Sequence, residues 1–211
     1  STEEFYGGFR AGEWTVTGGR QNYMIGNGFI VMDGNLDQLN DGAYWLAPRT
    51  AFKDSAVVAW DHGALKVQGF SLGTDSDLGD FRMSGANLDY NLDDQVTLGA
   101  TVLKVKAMGP KGSTLPRRRD GMLVYNVRAL NAKLPGIPDL TLNAEYALER
   151  GSGEGVDYDA EAWYGQADYT FSTLPLTPVI GYRYASFSGD DNLTDNRQKA
   201  WDPLSKGFVD W

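Results

Sequence analysis

Apolar and polar residues alternate along much of the chain. Between 140 and 149, Leu140, Leu142, Ala144, Tyr146 and Leu148 fall on one side of an extended strand, with Thr141, Asn143, Glu145 and Glu149 mainly on the other. From 157 to 164, Tyr158, Ala160, Ala162 and Tyr164 oppose Asp157, Asp159 and Glu161. From 177 to 184, Ile180, Tyr182 and Tyr184 oppose Thr177, Gly181 and Arg183. A period of two predicts strands, and no stretch sustains a helical apolar stripe. Ten strands are predicted, over 3–10, 13–23, 50–60, 64–73, 79–91, 95–107, 120–133, 140–150, 157–171 and 177–188. Most have the roughly 9–11 residues that cross a bilayer at a tilt, against about five or six in globular sheets. Breaks of phase near Gly18-Gly19, Val102 and Gly165 predict bulges.

The connections alternate in length. Ala11-Gly12, Asp61 to Gly63, Asp93-Asp94, Leu134 to Asp139 and Ser172 to Leu176 are short. Met24 to Arg49, Thr74 to Leu78, Met108 to Arg119, Gly151 to Val156 and the run from Gly189 onward are longer and more polar. Outer-membrane barrels have short periplasmic turns and long extracellular loops, so an up-and-down chain must alternate them. The expected fold is therefore all-β, an antiparallel up-and-down transmembrane β-barrel forming one domain over 1–211, with long extracellular loops near 24–49, 108–119 and 189–211. The chain starts within two residues of a strand, and Asp202 to Trp211, with Pro203, reads as loop. The expectation is that this domain is incomplete at one or both ends, because an open sheet edge is not tolerated in lipid.

Composition adjusts this picture only slightly. A formal charge of −9 and a pI near 4.6 argue against nucleic acid, which needs a basic face. A mean hydropathy of −0.38 looks soluble, but only alternate barrel residues face lipid. With no cysteine there is neither a disulfide framework nor a thiolate metal site. The 11 tyrosines, 6 tryptophans and 26 glycines suit aromatic girdles and bulges, or a soluble β-protein.

Three stretches resemble the alginate export (alginate-porin-like) family of bacterial outer-membrane proteins. They are Gly19-Arg20-Gln21-Asn22-Tyr23 with Ile25-Gly26-Asn27-Gly28-Phe29; Gly42 to Arg49 with Ala51-Phe52; and Tyr182 to Asp191 with Thr194-Asp195 and Asp202-Pro203-Leu204. The resemblance implies a monomeric barrel of up to about 18 strands, and hence strands beyond those found here. It also implies an outer-membrane location, contact with lipid bilayer and lipopolysaccharide, and passive passage of an anionic solute or acidic polysaccharide such as alginate or its oligomers. No cofactor or metal is expected.

A path for polyuronate needs cations, and arginine offers carboxylates a planar fork. Alternation selects Arg10, Lys53, Lys66, Lys104, Lys106, Arg128 and Arg183 as inward-facing, and the family-like motif adds Arg20. The competing reading braces them against Glu145, Glu149, Asp157, Asp159 and Glu161. Tyr44, Trp45 and Arg49 mark a possible constriction loop within 24–49. Arg117-Arg118-Arg119 reads as an anion-attracting mouth, a lipopolysaccharide contact or a solvated loop. The acidic groups at Asp33, Asp37 and Asp41, at Asp75, Asp77 and Asp80, and at Asp190, Asp191 and Asp195 lack EF-hand spacing and read as solvated loops.

Alternative functions are an outer-membrane barrel hydrolase, a non-conducting envelope scaffold or receptor, and a soluble carbohydrate-binding sandwich. A hydrolase normally needs a histidine near the outer rim as base. The single histidine, His62, falls in a short periplasmic turn, so no enzymatic activity is expected.

Overall fold

The computed structural model describes residues 4–32, 51–74, 81–93, 95–108, 119–192 and 194–204. They form one antiparallel sheet of ten strands in sequence order: β1 (Phe5–Ala11), β2 (Trp14–Gln21), β3 (Phe52–His62), β4 (Leu65–Gly73), β5 (Phe81–Leu92), β6 (Val96–Ala107), β7 (Met122–Leu134), β8 (Ile137–Gly153), β9 (Val156–Thr170) and β10 (Val179–Phe187). A two-residue β11 (Arg197–Gln198) runs parallel to β9 where β10 has ended. Among the described residues β1 and β10 are the sheet's free edges. This is the up-and-down arrangement that the alternation predicts.

Tight turns close one end of the sheet. Gly12, Gly63 and Gly136 sit there at φ +59°, +55° and +83°, values that carry no steric cost without a Cβ. The other end carries the long connections, with one correction. Residues 151–156 are not a loop: β8 and β9 extend to Gly153 and Val156, joined by Glu154 and Gly155 alone, both at positive φ. That is the geometry of a type I′ hairpin turn, whose twist matches the flanking strands. These two strands, of 17 and 15 residues, exceed what a bilayer needs.

Register defines two faces. Near the tight turns, Leu65, Val67, Ala86, Leu88, Tyr90, Leu98, Ala100, Val102, Val127, Ala144, Tyr146, Trp163 and Tyr184 share the outer face. The inner face at the same height holds Lys66, Gln68, Asn87, Asp89, Thr101, Asn126, Arg128, Asn143, Glu145, Gln166 and Arg183. Trp14, Trp60, Tyr90 and Tyr169 lie on the outer face nearest the turns, as an interfacial aromatic girdle does.

Toward the loop end the polarity of the faces exchanges while the register continues. On β6 the outward residues change from Leu98, Ala100 and Val102 to Lys104 and Lys106, and the inward ones from Thr97 and Thr101 to Leu103 and Val105. On β9, outward Trp163 gives way to Glu161 and Asp159, and inward Asp168 and Gln166 to Tyr164, Ala162 and Ala160. The breaks of phase near Val102 and Gly165 are therefore not bulges. Both strands keep unbroken pairing there. The expected bulge after Gly18-Gly19 is present, with the shift between Gly19 and Gln21.

The apolar upper inner face is covered by the chain itself. The segment from Asn22 to Met32 folds inward, and its Ile25, Phe29, Ile30 and Val31 are buried with Phe52, Leu72, Met83, Leu103, Val105, Met122, Val124 and Tyr164. Phe29 meets the Tyr164 ring edge-on at 5.2 Å and stacks on Trp201 at 6.1 Å. A second segment carries Trp201 and Leu204 onto the same core. Arg119 fastens it through two hydrogen bonds to Asp202, of 2.7 and 2.8 Å.

Candidate functional site

One row of paired residues crosses the inner face: Asp61 on β3, Lys66 on β4, Asp89 on β5, Gly99 on β6, Arg128 on β7, Glu145 on β8 and Tyr164 on β9. Acidic and basic side chains alternate along its first part, and opposite charges on neighbouring strands stabilise a sheet. Gly99 breaks the sequence of side chains, and the Arg128 guanidinium lies across the gap to reach β5. Its Nη2 donates to Asp89 Oδ1 and Asn87 Oδ1, both at 2.5 Å, and its Nη1 donates to Thr101 Oγ1 at 2.9 Å and Asn126 Oδ1 at 3.0 Å. Arg128 Nε also donates to Asp89 Oδ1 at 3.2 Å, and the side chain is wholly buried.

The inward loop rests on this row. Gly26, at φ +56°, lies against Arg128, and Asn27 Nδ2 donates to Tyr164 Oη at 3.3 Å. Tyr164 Oη in turn donates to Glu145 Oε1 at 3.0 Å. The segment after β2, from Asn22 to Met32, thus covers the inner face at the height where it turns from polar to apolar.

Four of the cations selected from the sequence face inward. Arg10, paired with Thr15, is exposed near the tight turns. Lys66 is exposed within the row. Arg183 is exposed beside the Tyr164 ring, and its Nε donates to Gln166 Oε1 at 2.7 Å. Arg128 is inward but committed to protein acceptors. The other four depart from the expectation. Lys104 and Lys106 stand on the outer face, because the polarity of the faces exchanges on β6 without any slip of register. Arg20 lies between inward Gly19 and Gln21 and so points to the outer face. Lys53 occupies the β3 bulge between inward Phe52 and Ser55, off the inner row. Tyr44, Trp45 and Arg49 are outside the described residues, as are Arg117 and Arg118.

The supposed acidic braces divide the same way. Glu145 and Glu149 are buried inward, whereas Asp157, Asp159 and Glu161 lie outward. Arg150 Nη1 and Arg197 pair with Asp159, the former at 3.3 Å. Sequence reasoning missed Asp89, Asn87 and Gly99, whose role depends on register across three strands. His62 lies next to the β3–β4 turn, where its Nδ1 contacts Glu13 Oε1 at 2.7 Å and its ring stacks on Trp60 at 5.4 Å. The hydrogen bond from His62 holds the Glu13 carboxyl below the usual carboxylate range. In the loop after β10, backbone N–H groups of Asn192 and Lys199 do the same for Asp190. A recess of about 500 Å³ opens on the outer face among Val127, Ala129, Ala144, Tyr146 and Trp163. Arg128, Glu145 and Tyr164 of the inner row also contribute to its lining.

Comparison with known proteins fits this geometry. The chain superposes on the crystal structure of Pseudomonas aeruginosa OccK8 (OprE) with a TM-score of 0.50 at 13% sequence identity, over 86% of this chain and 53% of that one. The sequence thus spans about half the length of that structure. No curated protein matches the chain. The family model described as alginate export matches residues 50–206, most of the sequence. The chain therefore belongs to the alginate export family of bacterial outer-membrane β-barrel proteins.

Proposed function

We propose that this chain forms part of the wall of a channel through which anionic solutes, acidic polysaccharide of the alginate type or its oligomers, diffuse down their gradient. The supporting observation is the pairing of an apolar outer band with a polar inner face at the same height. Lipid on one side and water on the other call for that pattern, and a packed sandwich core does not.

Arg10, Lys66 and Arg183 supply inward positive charge along the path. Arg128 acts one step removed: it neutralises Asp89 and holds the row rigid beneath the segment from Asn22 to Met32, which acts as a plug. The plug narrows the passage, and Tyr44, Trp45 and Arg49, from the continuation of the same loop, are assigned to the constriction. The protein works as a monomer, without cofactor, metal or nucleic acid, and carries out no covalent chemistry.

Planar-bilayer recording of the full-length protein in a KCl gradient tests this. The expected result is anion-selective current blocked by oligouronate. A folded barrel without current, or with cation-selective current indifferent to oligouronate, would remove the transport reading and favour a scaffold or receptor.

A further inference from the structure

We infer that Arg82, Lys104 and Lys106, on the outer face of β5 and β6, form a binding site for a lipid A phosphate of lipopolysaccharide in the outer leaflet.

The register opposes like charges. Arg82 pairs directly with Lys106, and Lys104 pairs with Ser84 on β5 and Leu123 on β7. Like charges opposite one another on a single face destabilise a sheet unless an anion lies between them. No ion pair joins Lys104 or Lys106 to a carboxylate among the described residues, and both side chains are exposed. Arg82 is held in place by the protein. Its Nη1 donates to Asp54 O at 3.1 Å and Ser71 Oγ at 3.0 Å, which leaves Nε and Nη2 without a protein acceptor among the described residues. The Ser71 and Ser84 hydroxyls are 3.1 Å apart on the same face and add donors for phosphate oxygens.

The surrounding carboxylates do not quench the patch. Asp54 shares the row but is separated from Arg82 by Gly73 on β4. Asp120 Oδ1 accepts the Ala107 N–H. Asp159, two strands beyond Leu123, is already paired with Arg150 and Arg197.

Depth identifies the occupant. Lys104 is the first charged residue above the outward run of Leu98, Ala100 and Val102, on the side of the long connections, which is extracellular in such barrels. At that level the patch meets headgroup phosphates, while acyl chains lie against the apolar run below. Basic residues near a membrane surface each contribute about a fivefold gain in attraction to anionic lipid.

The test measures lipopolysaccharide retained by the full-length protein after detergent extraction, and binding of purified lipid A with and without its phosphates. The wild type should hold phosphorylated lipid A roughly tenfold better than the dephosphorylated form, and excess inorganic phosphate should not displace it. Lys104→Gln with Lys106→Gln should lower retention by about 25-fold, with heat-modifiable mobility intact. Lys133→Gln, beside the opposite turn, should not. Equal binding of dephosphorylated lipid A, unchanged retention in the double variant, or displacement by inorganic phosphate would each overturn the assignment. Retention does not require conduction, so a silent channel leaves this inference standing.

Discussion

Gly99 is the space into which the Arg128 side chain fits: a Cβ at position 99 would press on Arg128 Nε and lie 2.5 Å from its Cζ. A buried guanidinium is tolerable only if its donors are satisfied, and Asp89, Asn87, Thr101 and Asn126 can satisfy them only when β6 has no side chain in the way.

Gly99→Ala should therefore destabilise the folded barrel by about 2–4 kcal/mol, by displacing a buried charge from its partners. Urea unfolding of the detergent-solubilised protein measures this. Arg128→Met should cost about 3–5 kcal/mol, because it removes the buried cation from Asp89 and the donors that Asn87, Thr101 and Asn126 accept from. Since the methyl added at position 99 acts through Arg128, the double variant should lose much less than the sum of the two. Additive losses would mean that Gly99 matters for another reason.

Gly26 holds the plug down on the same arginine. A Cβ there would stand 2.8 Å from Arg128 Cδ and 3.3 Å from Glu145 Oε1, at a φ of +56° that disfavours other residues. Gly26→Val should lift the loop and raise single-channel conductance, with little change in the yield of folded barrel. Unchanged conductance would show that the loop does not narrow the path.

Charge removal at inward and outward lysines should separate. Lys66→Gln and Arg183→Gln together should shift the reversal potential away from anion selectivity and weaken oligouronate block, because both side chains face inward and are exposed. Lys104→Gln and Lys106→Gln should leave the reversal potential where it is. The reverse result would put the conducting path on the other side of the sheet.

Glu13 offers a pH readout at the tight-turn end. Its carboxyl is held below its ordinary value by the hydrogen bond with His62. A depressed folded-state value means that the contact contributes above the unfolded-state value and is lost as pH falls through the folded one. His62→Asn should move the Glu13 titration upward toward that of an ordinary glutamate, as followed by carbonyl NMR. An unmoved titration would assign the depression to Trp60, whose Nε1 also donates to Glu13, at 3.0 Å.

Strand number, direction and most boundaries were legible because a period of two survives without tertiary information. Leu142, Ala144 and Tyr146 against Asn143 and Glu145 were sorted correctly from sequence. The facing of Lys104 and Lys106 was not. Inward Leu103 and Val105 cover the plug, a contact between residues far apart in sequence, and without it their parity looks wrong. The β7 bulge also went unseen. Asn131 takes φ +57° and its N–H donates to Asn143 Oδ1 at 2.8 Å, a conformation that asparagine tolerates and its residue type alone does not announce. The Arg128 cluster needed register across β5, β6 and β7, which one-dimensional pattern does not contain.

The exchange of polarity along the strands bears on assembly. To reach their final position, the loop ends of β5 and β6 must traverse the hydrocarbon with Arg82, Lys104 and Lys106 on the side that faces lipid. Each lysine or arginine costs about 2–4 kcal/mol at the bilayer midplane. At the same time, Leu103, Val105, Met122 and Val124 lack their cover until the plug docks. Spontaneous insertion through an intact bilayer opposes both requirements. Both costs fall on the same end of the sheet, so the exchange of polarity that seats the inward segment is also what makes that end the harder one to carry across a bilayer.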